Sequence, residues 1–156
     1  MPESPSSKGG EEPVVVVVIA DDDADSLNIV RTRLETAGDY KVVTASNGQA
    51  ALAAVRQYKP ALVILDVMMP RLNGFQVTRM IKFDKQLRDT PVLLLTVRTE
   101  EVDRETGVQV GADEYLNKPL DPDLLMKQVN RYVQRWRSRR AKADADVSSE
   151  DPTPAA

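Results

Sequence analysis

The sequence predicts an α/β domain: a doubly wound sheet of five parallel strands with five helices. Three observations carry this. Short apolar runs alternate along the chain with capped or amphipathic segments of helical length. The apolar runs are continuous rather than alternating, which marks strands covered on both faces. A strand–helix–strand series makes right-handed crossovers, so it builds a parallel sheet with helices on either side.

Residues 1–12 are mostly Pro, Ser, Gly and Glu and are predicted to be a disordered tail. Val14 to Ala20, almost purely β-branched, is the first strand. Asp23 to Ala37 is a helix ended by Gly38. Lys41 to Ala45 is a short strand. Asn47 caps a helix to Tyr58 that Pro60 cannot continue. Ala61 to Leu65 is the third strand, and Gly74 to Phe83 a helix. Pro91 to Thr96 is the fourth strand. Thr99 to Val110 is a weaker helix, because Gly107, Val108 and Val110 lower its propensity. Glu114 to Asn117 is the fifth strand. In the last helix Asp121 is the N-cap and Pro122 the first helical residue. Leu125, Val129, Tyr132, Val133 and Trp136 then form one apolar stripe, which core packing explains. The folded domain is expected over 13–138, with a second disordered tail over 139–156.

Composition narrows the function. The 156 residues include no cysteine and no histidine. That removes disulfides, thiol catalysis, histidine phosphocarriers and a Ser-His-Asp triad. A net charge of −3 gives no nucleic-acid footprint. The basic cluster Arg137, Arg139, Arg140 and Lys142 reads as the solvated end of a helix, where cations complement the dipole. No apolar run approaches the roughly 18 residues that span a membrane. These features are compatible with a cytoplasmic protein.

In a parallel sheet all carboxyl ends of the strands lie on one edge, where open α/β folds place their ligands. Asp21, Asp22 and Asp23 follow the first strand and Asp66 the third. Thr96 ends the fourth, and Lys118-Pro119 follow the fifth. One aspartate, Asp23, suffices to cap the first helix. The remaining carboxylates repel one another and need a counter-charge. An all-oxygen donor set suits magnesium rather than zinc, and Lys118 is a second counter-charge. Taken singly, Lys118 is a surface lysine, Tyr115 a half-buried aromatic, Thr96 a strand-end residue and Pro119 a turn residue. Their joint placement around Asp66 raises them above those readings.

On these residues the chain resembles the receiver domains of response regulators, the phosphoacceptor modules of two-component signalling. It is similar in size to the single-domain chemotaxis regulators, and the resemblance covers about 13–138. Asp21-Asp22 match the family's acidic pair, and Asp66 in LDVMMPRLNG matches its phosphoacceptor loop. Thr96, 30 residues after Asp66, matches its Thr or Ser, and Lys118-Pro119, 52 residues after, its Lys and cis proline. Tyr115 falls on its switch aromatic. The resemblance implies the flavodoxin-like strand order 2-1-3-4-5. It implies that Asp66 takes a phosphoryl group from a sensor histidine kinase or a histidine phosphotransfer protein. Magnesium would be held by Asp22 and Asp66, by Asp21 through water and by the Met68 carbonyl, with Lys118 on a phosphoryl oxygen. Thr96 and Tyr115 would relay the change to the face built by the helix of 99–110, the fifth strand and the last helix.

Other expectations follow. No output domain is recognised after the last helix, so signalling is expected through a downstream protein target, without direct contact to nucleic acid or membrane. A homodimer through the last two helices is compatible with the resemblance. The chain is expected to catalyse only its own phosphorylation and dephosphorylation. Val97 stands where the family has a small residue, and Arg98 and Met68 flank the approach to Asp66. The alternative is a degenerate receiver that binds partners independently of phosphorylation; the intact Asp21, Asp22, Asp66, Thr96 and Lys118 argue against it. An Asp-nucleophile phosphohydrolase would want a second Asp at position 68, which is Met.

Overall fold

A computed structural model of the protein describes residues 14–38, 40–97, 106 and 109–149. Five parallel strands form one sheet: β1 (Val16–Ala20), β2 (Lys41–Ala45), β3 (Leu62–Asp66), β4 (Val92–Val97) and β5 (Glu114–Lys118). Their spatial order is β2-β1-β3-β4-β5, as the resemblance implied. Between and after them run α1 (Ala24–Ala37), α2 (Gly48–Tyr58), α3 (Gly74–Lys82) and α4 (Pro122–Ser149). The helix expected over 99–110 lies outside the described residues except Thr106 and residues 109–110, which are helical.

The sheet divides two apolar layers, as continuous strand runs require. Val16, Val18 and Ala20 of β1 pack with α2 and α3, whereas Val17 and Ile19 pack with α1 and α4. Strands β1 and β3 are wholly buried. Leu125, Val129, Tyr132 and Val133 close the second layer, with Trp136 half-buried beside them. Burying each such side chain stabilises the fold by about 1.5–3 kcal/mol.

Several boundaries rest on local chemistry visible in the sequence. Asn47 accepts a hydrogen bond from the Ala50 amide at 2.8 Å and so caps α2. Asp121 accepts from the Asp123 amide at 3.0 Å at the start of α4. Lys59 ends α2 in a left-handed conformation, φ 45°, one residue before Pro60.

Gly38 ends α1 in extended backbone, φ −148°. Its missing side chain makes room for the Tyr40 ring, whose Cζ would lie 2.7 Å from an added Cβ. Two expectations need correction. Asp23 occupies the N-cap position of α1, but its carboxylate accepts from the Ser26 hydroxyl at 2.7 Å rather than closing the cap on the backbone. Finally, α4 does not stop near 138 but continues to Ser149. Arg139, Arg140, Ala141, Lys142 and Ala143 are strong helix formers and need no apolar stripe to extend an existing helix.

Candidate functional site

The parallel register brings the chemical groups to one edge. Ala20 pairs with Leu65, so Asp21 and Asp66 leave their strands side by side. Asp66 pairs with Leu95, and Thr96 with Asn117, so Thr96 and Lys118 emerge just beyond.

Asp66 is held by its own loop. The Val67 amide donates to the Leu95 carbonyl at 2.9 Å, and the Gly74 amide to the Val67 carbonyl at 2.9 Å. Gly74 is required there. An added Cβ would lie 2.6 Å from the Asp66 carbonyl oxygen and 2.9 Å from Val67 Cα. Asn73 and Gln76 form a reciprocal capping box that starts α3 directly behind this turn. The pair stands in the sequence as Asn-x-x-Gln at the start of the helix, and that spacing is the signal for this cap.

At the edge, Lys118 Nζ lies 2.8 Å from Asp66 Oδ1 and 3.4 Å from Asp21 Oδ2. Asp21 and Asp66 are buried, while Asp22 is exposed. Asp21 is oriented further by the Asp23 amide, which donates to its Oδ1 at 3.0 Å. One carboxylate oxygen from each of Asp21, Asp22 and Asp66 lies within 4.8 Å of the other two. That spacing and the all-oxygen donors fit magnesium, which binds oxygen ligands at about 2.1 Å and needs only one or two carboxylates.

The charges are unevenly compensated. Burial raises the Asp66 pKa above the ordinary carboxylate value. The Lys118 hydrogen bond and charge work against this, while Asp21 and Asp22 add to it. Burial also opposes the Lys118 charge, but Asp66 and then Asp21 outweigh it and hold the ammonium above an ordinary lysine. A simple ion pair would lower the carboxylate and raise the amine. Both rise here because one ammonium serves several carboxylates at a partly dry edge.

The Thr96 side chain is buried and donates to the Val97 carbonyl at 3.2 Å. Tyr115 is half-buried against the layer shared with α2 and α3. The Met68 and Val97 side chains are exposed, 69% and 53%. Arg98 lies outside the described residues. Another linkage is absent from any sequence signal. Lys82 Nζ binds Asp113 Oδ2 at 2.8 Å and the Thr90 carbonyl at 2.8 Å, tying α3 to the segments entering β4 and β5.

The model of the response regulator receiver domain family matches residues 17–130. Protein PilH of Pseudomonas aeruginosa is 38% identical over 110 residues, covering 70% of this chain and 90% of PilH. A probable transcriptional regulator ycf27 of Pyropia yezoensis is 42% identical over 115 residues, covering 74% of this chain but 46% of the relative. The chain thus spans about half the length of several curated relatives that it matches. Among solved structures, the Vibrio cholerae chemotaxis protein CheY4 superposes with a TM-score of 0.70 at 33% identity, covering 77% of this chain and 99% of CheY4. Receiver domains bind magnesium at an acidic pocket and interact with histidine kinases or phosphotransfer proteins. Fold, register and sequence together place this chain in the response regulator receiver domain family of two-component signalling.

Proposed function

We propose that the protein is a phosphoacceptor switch that takes a phosphoryl group from a partner's phosphohistidine onto Asp66. The observation that carries this reading is the Asp66 carboxylate, buried at the end of β3 yet 2.8 Å from the Lys118 ammonium. An Asp66 oxygen attacks phosphorus, forming a P–O bond. The P–N bond breaks, and its electron pair leaves with the imidazole. Both reactants are anionic, so positioning and charge compensation supply most of the catalysis.

Lys118 neutralises one phosphoryl oxygen while its hold on Asp21 keeps that carboxylate in place. Asp21, Asp22, Asp66 and the Met68 carbonyl are the groups that would hold magnesium. Bound there, the ion supplies positive charge against the phosphoryl oxygens. Thr96 exchanges its bond to the Val97 carbonyl for one to the new phosphoryl group, and Tyr115 moves toward the space vacated. The altered surface near β5 and α4 then engages a downstream protein target in the cytoplasm.

Intact mass after incubation with acetyl phosphate, with and without magnesium, tests this. The expected result is a magnesium-dependent gain of one phosphoryl group in the wild type and none in Asp66→Asn. No gain in a wild type that binds magnesium would favour a receiver acting without phosphorylation.

A further inference from the structure

The sheet edge opposite Asp66 carries a cleft of about 300 Å3 that phosphoryl transfer does not use. Pro60 and Ala61, entering β3, form one wall, and Tyr132 and Trp136 of α4 another. Arg135, Arg139 and Arg140 also line it. Arg135 lies over the Tyr132 ring at 5.2 Å, and Arg140 over the Trp136 ring at 5.4 Å. Among the described residues none of these three arginines forms an ion pair. Two carboxylates also border the cleft. Asp113 is taken by Lys82 at 2.8 Å, which leaves Asp89 against three guanidinium groups. The cleft therefore presents excess positive charge on an aromatic wall.

The chain enters β1 beside this cleft. The Val16 carbonyl accepts from the Ala61 amide at 2.8 Å, and Ala61 lines the cleft. On the other flank, the Val15 carbonyl accepts from the Lys41 amide at 2.8 Å, next to Tyr40, whose phenol is within electrostatic reach of Arg137. Glu11 and Glu12 precede Val14 by three and two residues. Two residues span up to about 7 Å of extended chain, and arginines of α4 lie on both flanks of the point where the chain enters the fold. The preceding Gly9-Gly10 adds no bulk or charge.

We propose that the acidic segment ahead of β1, through Glu11 and Glu12, docks on the arginine-lined cleft of its own chain and covers Trp136. The occupant is set by charge complementarity and by the point at which the chain enters the fold. Such docking ties the amino-terminal segment to α4 on the side of the sheet remote from Asp66, and it stands independently of the phosphoacceptor reading.

The chain has one tryptophan and no cysteine, so a direct test is available. A nitroxide, a contact quencher of indole fluorescence, is attached to full-length protein carrying Gly10→Cys. Emission of Trp136 is compared with that of the unlabelled variant. The expected result is loss of most of the emission at low salt. It returns at about 1 M salt, where the Debye length falls to ~3 Å, and it returns in the labelled protein that also carries Arg139→Gln and Arg140→Gln, each measured against its own unlabelled form. Undiminished emission at low salt overturns the proposal. So does quenching that ignores both salt and the arginine substitutions. Quenching that fades on dilution assigns the contact to a second copy and overturns docking within one chain.

Discussion

Lys118 Nζ stands 2.8 Å from Asp66 Oδ1, joining residues 52 positions apart at the carboxyl edge of the sheet. The same ammonium reaches Asp21 at 3.4 Å, so one cation balances two buried carboxylates. Lys118→Ala is therefore expected to act twice. Phosphorylation by acetyl phosphate should slow by about 10²–10³, the usual effect of removing one preorganised charge or donor. In chelator the fold should lose about 1–3 kcal/mol, because buried polar groups lose their partner, and added magnesium should restore most of it. Rate and denaturant midpoint, each with and without magnesium, check the pair of effects.

Asp66→Asn should stabilise the metal-free protein at neutral pH. The Asp66 pKa is raised by burial and by Asp21 and Asp22, despite Lys118. A carboxyl whose folded pKa exceeds its unfolded value favours folding when protonated. That contribution is complete below the unfolded pKa and is lost as pH rises through the folded one. At pH 7 the ionised Asp66 thus weighs against the fold, and Asn removes the charge. Melting temperatures in chelator should place the variant above the wild type at pH 7, with the gap narrowing as pH falls toward the ordinary carboxylate range.

Gly74→Ala should impair the site from outside it. The new Cβ would press on the Asp66 carbonyl and Val67 Cα, both backbone atoms with little room to give. The expected cost is about 1–3 kcal/mol of stability, as for overpacking elsewhere. Acetyl phosphate labelling should fall by more than the folded fraction does, because the displaced loop carries Asp66. Circular dichroism and intact mass on the same sample separate the two.

Tyr132→Phe should do the converse, changing stability without changing the chemistry. Its hydroxyl donates to Glu114 Oε2 at 3.1 Å, an acceptor shared with Arg131 at 3.1 Å. Losing one such bond costs about 1 kcal/mol. Labelling at Asp66 under folded conditions should be unchanged.

Val97→Ala tests the mouth of the site. Val97 is 53% exposed, so the substitution should leave stability within about 0.5 kcal/mol. If its side chain narrows the approach to Asp66, acetyl phosphate labelling should become faster, as a time course of intact mass would register.

Much was legible because the signals are local. Continuous β-branched and aliphatic runs need cover on both faces, and that requirement alone calls for a layered α/β sheet. Asn47 and Asp121 cap the helices that follow them, as short polar side chains before helical segments do. The stripe from Leu125 to Val133 is buried as its spacing requires. The rest had causes that are not local. Gly38 ends α1 as its position suggests, but it also makes room for the Tyr40 ring, a contact that no local motif signals. The polar end of α4 has the composition of a tail but continues a helix already nucleated by packing.

By itself the sequence determined which residues are strands, which edge they end on, and that Asp21, Asp22, Asp66, Thr96 and Lys118 belong to that edge. Tertiary structure alone decided which of them meet. Register and crossovers bring Lys118 to Asp66 and Asp21 and draw Asp22 near them. It also fixed the backbone contact that only glycine permits at position 74, and the cleft between the strand entrances and α4. Propensity and burial act along the chain and can be read there. Distances between residues far apart in sequence arise only when the layers pack.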